Sequence, residues 1–436
     1  MPSRTRDLFE RLFGTAESGA PDDPAPTPTA PGAGTALALT GGGARAAYQA
    51  GVLRGLARAA PGFRPDLLTG VSAGGLNAAF LAASAHLPFD QATAGLVEIW
   101  HDLRAEHVFR LDRPGVAGTL ARLVRRPAAP EPPAEGGFLD TTPLHAFVEG
   151  HLGPVGMPIA RIGENLAAGH VRALAITATS YDTGRSVTWV EGGPPDMPGL
   201  VRARIRPEHV LASAALPFFF PAVSVAGGTG ETDPGSAWYG DGGIRLTAPL
   251  SPALRLGADR ILSVNTRAAT SSVEPGDVYP PASRVLGVLM NAVFLDVLEQ
   301  DARTLRRIND LVAGLPPAAR GGFRPVDLLV IRPSEDLARL ASGYEPQLPP
   351  SMRVALGRAG AGERSPDWLS MLLFDRDYVE HLVALGEADV EARADEIRAF
   401  LAPGASPAGR TGTSDRNAVT RGPTGPAGPT GSAAAD

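Results

Sequence analysis

The stretch LTGVSAGGLNAAF, residues 68–80, decides how the rest of the chain is read. The apolar run LLTGV at 67–71 has the length and composition of a buried strand, and Leu76, Ala79, Phe80 and Ala83 then recur at helical spacing. Between them stands Gly70-Val71-Ser72-Ala73-Gly74. A strand that turns sharply into a helix through Gly-x-Ser-x-Gly presents the serine at the helix N-terminus, where free amides favour developing negative charge. In a chain with 52 glycines the bare pattern arises easily by chance, so its placement after a strand and before a helix is what counts. Ser72 is therefore a candidate nucleophile, and a serine attacks carbonyls poorly unless a base takes its proton.

Working outward, short aliphatic runs alternate with helical patterns, the signature of an α/β fold with a sheet wrapped by helices. TALALT (35–40) reads as a strand, followed by a helix whose core face is Tyr48, Val52 and Leu56. RALAITATSY (172–181) and RSVTWV (185–190) read as a strand pair around the turn-forming Asp182, Thr183 and Gly184. RILSVN (260–265) and VDLLVI (326–331) complete a central sheet, with helices expected over 292–307 and from about residue 378 to 400. Residues 15–35 and the stretch from 404 onward lack the large apolar side chains needed to offset ordering entropy. The expected organisation is an N-terminal helix and linker (1–34), a catalytic domain (35–402, core 35–270 with a helical C-terminal extension 284–402), and a disordered tail (403–436).

Composition narrows the function classes. With 44% hydrophobic residues the chain can fill a sizeable core, and a net charge of -6 with interspersed basic residues gives no footprint for nucleic acid. The absence of cysteine removes thiolate metal sites and a cysteine nucleophile, and no metal constellation is visible. No run approaches a transmembrane helix and the first residues lack a signal-peptide core, so a cytoplasmic protein is expected. Leu8, Phe9, Leu12 and Phe13 share one helical face, which suits docking on the chain's own domain or peripheral contact with a membrane.

A second glycine cluster, Gly41-Gly42-Gly43-Ala44-Arg45, also joins a strand to a helix. A dinucleotide site wants a further glycine where Ala46 stands and an acid closing the second strand, whereas Asp66 opens it. The stronger reading is an oxyanion loop whose backbone amides converge on a tetrahedral intermediate. For the base, none of the eight histidines follows a strand in a Gly-flanked loop as a triad histidine should. His209 opens a helix and His381 lies within one. What does follow a strand in a glycine setting is SAWYGDGGIRLTAPL (236–250), with Asp241 before Gly242 and Gly243; alone, it reads equally as a turn former.

Taken together, LALTGGGARAAYQAGVLRGL (37–56), GVSAGGLNAAF (70–80) and YGDGGIRLTAPLSPALRLGADRILSV (239–264) resemble the patatin-like phospholipase family, with softer similarity in FLDTTPLHAFV (138–148) and SAALPFFFPAV (213–223). The resemblance implies a three-layer α/β/α sandwich around a mostly parallel sheet, and a serine and aspartate dyad without histidine. It assigns Ser72 as nucleophile, Asp241 as general base, and Gly41, Gly42, Gly43 and Arg45 to the oxyanion loop. Ala46 departs from the family's usual glycine. The implied activity is lipid or other ester hydrolysis through an acyl-enzyme, without a cofactor and at a lipid surface; the oligomeric state is not implied.

Three rivals stand beside that reading: a histidine-dependent α/β-hydrolase, a catalytically silent lipid-binding protein, and a nucleotide-binding module. Several side chains invite a structural or a functional role. Leu216, Phe218, Phe219 and Phe220 fit either an acyl channel or the core. Residues 99–152, with Trp100, Phe109, Arg122, Arg125 and Arg126, fit either a lid or a solvated excursion. Glu299, Asp301, Arg303, Arg306 and Arg307 are spaced for surface pairs, and Asp375 and Asp377 for capping the last helix.

Overall fold

The computed structural model describes residues 34–110, 139–217, 219–227, 235–246, 248–268, 297–348 and 366–402. The expected N-terminal helix, the C-terminal tail, Phe218 and the three arginines at 122, 125 and 126 lie outside the described residues.

The described strands are β1 (Thr35–Leu39), β2 (Leu67–Val71), β3 (Ala173–Ser180), β4 (Ser186–Gly192), β5 (Val201–Arg202), β6 (Val223–Ala226), β7 (Ser236–Asp241), β8 (Arg260–Val264) and β9 (Asp327–Ile331). They form one sheet in the order β5-β4-β3-β2-β1-β8-β9, with β7 on β3 and β6 on β7. β1, β2, β3, β8 and β9 run parallel, while β4 and β7 run antiparallel to β3. This is the mostly parallel α/β sheet the sequence leads one to expect. The two-residue period explains the layers. Leu37 and Leu39 face one apolar core, shared with the helices Ala47–Ala59, Ala73–Ala83, Phe89–Asp102 and Arg376–Ala392. Ala36, Ala38 and Ile261 face a second core with Leu298, Ala302 and Leu305 of the helix Val297–Ala313. Strands covered on both faces need apolar residues at every position, which is why β1 and β2 read as continuous runs.

The C-terminal helices are bound tightly to this framework. The helix Arg376–Ala392 lies so close to Ala47–Ala59 that a Cβ on Gly386 would sit 2.4 Å from the Tyr48 carbonyl oxygen. Asp375 caps that helix, its carboxylate accepting the amides of Asp377 and Tyr378. The expected single helix over 378–400 breaks at Arg393, with a second segment at Ala394–Leu401. The charged set on Val297–Ala313 divides. Glu299 pairs with Arg303 and Arg332, whereas Asp301 is no surface partner: its carboxylate turns inward to the Leu250 amide at 2.8 Å, and burial raises its pKa.

The feature that matters most for chemistry lies on β3. β2 pairs with β3 as far as Val71 opposite Thr177, where its chain turns away. On the next rung β7 arrives from the other direction, with Asp241 opposite Ala178. Two strands from distant parts of the chain thus end on adjacent residues of a third.

Candidate active site

Ser72 follows Val71 at the end of β2 and starts the helix Ala73–Ala83 with φ 56° and ψ −133°. Among the described residues it is the one non-glycine residue with positive φ, a conformation that costs about 1–3 kcal/mol and persists only where the surroundings enforce it. The flanking glycines are required by space. A Cβ on Gly70 would lie 2.4 Å from the Gly74 carbonyl oxygen, and one on Gly74 would lie 2.4 Å from the carbonyl oxygens of both Leu39 and Thr40. The turn is therefore as tight as the Gly-x-Ser-x-Gly pattern implies.

Asp241 ends β7 and is fully buried. Its amide donates to the Ala215 carbonyl at 2.9 Å, its carbonyl accepts the Thr179 hydroxyl at 2.9 Å, and its Oδ1 accepts the Gly243 amide at 2.8 Å. Gly242 must be glycine because a Cβ would meet the Thr177 carbonyl oxygen at 2.2 Å. Burial pushes the Asp241 pKa up from 3.8 to about 7, against the opposing pull of hydrogen bonding from the Ser72 hydroxyl and the Gly243 amide. Oδ2 has no partner of full hydrogen-bond geometry among the described residues. The Ser72 hydroxyl thus lies beside the Asp241 carboxyl without a fully formed hydrogen bond between them.

The glycine loop lies over this pair. A Cβ on Gly41 would stand 3.0 Å from the Ser72 Cβ, and Gly43, at φ 55°, would drive one to 2.3 Å from the Met371 carbonyl oxygen. The Gly41 carbonyl is held by the Thr266 hydroxyl at 2.7 Å. The amides of Gly41, Gly42 and Gly43 donate no hydrogen bond among the described residues. Arg45 is spent differently. Its amide donates to Gly42, and its buried guanidinium reaches Ser370 at 2.7 Å and the Asp367 carboxylate at 2.8 Å. It fastens the loop to the helix Pro366–Leu372. Ala46 has φ −70°, which any residue adopts, so the departure from glycine strains nothing.

Sequence reading missed the supports of this loop. Gln49 donates to the Thr40 carbonyl at 2.7 Å, Asn77 to the Gln49 side-chain oxygen at 3.0 Å, and the Trp100 indole to Asn77 at 2.8 Å. Ser213, inside the quoted SAALPFFFPAV, accepts the Ser72 amide at 2.8 Å. The only sequence signal for these residues was a polar side chain on an otherwise apolar helical face.

Beside Ser72 opens an apolar cavity that is partly open to solvent. Its walls include Leu76, Trp100, Val148, Leu216, Phe220 and Phe374, and among the described residues no ionisable side chain lines it. The phenylalanine cluster is split: Leu216 and Phe220 line the cavity, whereas Phe219 packs on Trp368 at 4.6 Å. From the stretch 99–152, Trp100 and Phe109 are buried and Val148 forms wall. No histidine lines the cavity or has a hydrogen bond to Ser72 among the described residues. His209 is buried against Trp189, and burial lowers its pKa to about 3; His381 bonds Tyr344. Asp66 accepts the Thr35 amide at 2.7 Å, a structural role. Among the described residues there is no cluster suited to a metal ion, and no helix is long and apolar enough to cross a membrane.

No curated protein matches the chain. Among solved structures, human GIVD cytosolic phospholipase A2 is similar with a TM-score of 0.42 at 13% identity, over 84% of this chain and 62% of that one. VipD from Legionella pneumophila is similar with a TM-score of 0.28 at 14% identity, over 80% of this chain and 66% of that one. The chain thus spans less than two thirds of the length of either. The sequence profile of the patatin-like phospholipases matches residues 37–254, a span that takes in the glycine loop, the serine elbow and Asp241, and the chain belongs to that family.

Proposed function

We propose that the protein is a serine lipid acyl hydrolase in which Ser72 attacks and Asp241 serves as general base. Family membership supports lipid hydrolysis in general; the dyad and its oxyanion loop are the finer reading. One observation carries it: the Ser72 hydroxyl faces a buried carboxyl of raised pKa at the wall of an apolar cavity.

In this reading the reaction runs in two halves. The acyl chain of the substrate fills the apolar cavity, bringing its carbonyl carbon to the Ser72 oxygen. As that oxygen attacks, its proton passes to Asp241, whose burial makes it a stronger base than a solvated carboxylate. The tetrahedral oxyanion is held by the amides of the Gly41–Gly43 stretch, each well-aimed donor contributing about 3 kcal/mol to lowering the barrier. Arg45 keeps that stretch in place without touching the reacting atoms. The C–O bond to the alcohol then breaks, and the leaving oxygen takes the proton from Asp241. Water repeats the sequence on the acyl-serine, giving up its proton to Asp241 and releasing the free acid. The described walls of the cavity are apolar, so in this reading recognition rests on the acyl chain, met by peripheral contact with a lipid surface. Residues 35–402 act as the catalytic unit in this reading.

Hydrolysis of a panel of phospholipids, lysophospholipids and neutral esters, with Ser72→Ala as control, tests the proposal. Loss of all turnover in that variant is expected, together with fluorophosphonate labelling of Ser72 in the wild-type protein. Turnover that persists without Ser72 would overturn it. A histidine-dependent mechanism would instead require one of the single histidine replacements to abolish activity.

A further inference from the structure

The residues between the end of the helix Pro207–Ser213 and Leu216 are joined to both members of the dyad and to the cavity. Ser213 is fully buried. Its hydroxyl accepts the Ser72 amide at 2.8 Å and donates to the Thr177 carbonyl at 2.6 Å. Two residues later the Ala215 carbonyl accepts the Asp241 amide at 2.9 Å. The same short stretch presents Val210, Leu211, Ala214 and Leu216 to the cavity as wall. One segment therefore grips the main chain of the nucleophile, grips the main chain of the base, and lies against the space an acyl chain would fill.

We propose that this segment couples occupancy of the apolar cavity to the alignment of Ser72 with Asp241, with Ser213 as the positioning residue. The inference rests on the dyad reading above. The two side chains face each other without a fully formed hydrogen bond. A close-packed wall has no slack to absorb a chain pressed against it, so displacement of Val210, Leu211 and Ala214 passes along the same segment to the two main-chain grips at Ser213 and Ala215. Binding energy from the remote part of the substrate is thereby used at the reacting centre, where an error of about 1 Å can cost about 100-fold in rate. Ser213 touches neither substrate nor the reacting atoms; it acts through the Ser72 amide.

The consequence is that acyl-chain length governs kcat as well as KM. The test is a series of p-nitrophenyl esters from acetyl to octanoyl, measured for the wild type, Ser213→Ala and Ser213→Thr, with circular dichroism as the check on folding. In the wild type kcat is expected to rise about tenfold or more along the series. Ser213→Ala should lose most of that rise, while Ser213→Thr, which keeps the hydroxyl, should retain it. Leu211→Ala, which removes wall without touching the grip, should also blunt the rise, and it serves if Ser213→Ala fails to fold. A wild-type kcat that stays flat with chain length overturns the coupling, as does a Ser213→Ala loss of equal factor at every length. Failure of the dyad itself looks different: a wild-type protein that fluorophosphonate leaves unlabelled at Ser72 removes the underlying reading, whereas labelling combined with a flat kcat series removes only the coupling.

Discussion

Replacing Asp241 with asparagine separates what the carboxyl does for catalysis from what it costs the fold. The side chain is fully buried, and burial lifts its pKa from 3.8 to about 7. The folded protein therefore keeps a proton between those values that the unfolded chain has released. Stability associated with this group is greatest below pH 3.8, declines as pH rises toward 7, and is level above it. A shift of about 3 units corresponds to about 4 kcal/mol at full extent, of which about 2–3 kcal/mol falls between pH 5 and pH 8. Asparagine keeps the shape and an oxygen for the Gly243 amide but does not titrate. Asp241→Asn should therefore lose turnover by at least about 100-fold. It should also gain stability relative to the wild type by about 2–3 kcal/mol more at pH 8 than at pH 5. Urea unfolding of both proteins at the two pH values measures the difference. An equal stability difference at pH 5 and pH 8 would show that the native carboxyl is not desolvated, and the argument for its basicity would fail with it.

The same carboxyl sets the pH profile: kcat/KM of the wild type should fall as pH drops through about 7, because the protonated acid cannot accept the serine proton, and a rate level down to pH 5 would contradict this. Gly74→Ala should lose about 1–3 kcal/mol and abolish fluorophosphonate labelling, since its methyl would stand 2.4 Å from two carbonyl oxygens; thermal melts and labelling read both effects. Arg45→Met should cost about 1–3 kcal/mol of stability by removing the buried guanidinium that donates to the Ser370 hydroxyl, and should lower kcat through a loosened glycine loop.

Much of the fold was legible because its signals are local. LLTGV coincides with β2 from end to end, and TALALT, RILSVN and VDLLVI each fall within a residue of the observed strand, because strands buried on both faces must be apolar throughout. The elbow was equally legible, since two glycines and a serine in a fixed pattern describe a steric problem with few solutions. What escaped the sequence is whatever depends on partners far away. Asp301 has the spacing of a surface pair, yet it turns inward to an amide more than 50 positions away. Ser213 looks like one small residue among alanines until the fold sets it against Ser72. Arg45 matches the oxyanion loop by motif, yet its guanidinium is committed to a helix over 300 positions downstream. Asp241 itself reads as a turn former in isolation, because nothing near it in the chain reveals that β7 will run up the edge of β3 that β2 has just left.

That shared edge carries an architectural freedom. Since the proposed nucleophile and base stand where two strands stop on adjacent residues of β3, connections that carry neither β3 nor the segment from Pro207 to Leu216 can lengthen or shorten without altering their spacing. The converse holds with equal force: inserting a single residue into the short run from Ser236 to Asp241 would turn the carboxylate to the opposite side of the sheet, leaving every loop intact and the proposed reaction without its proton acceptor.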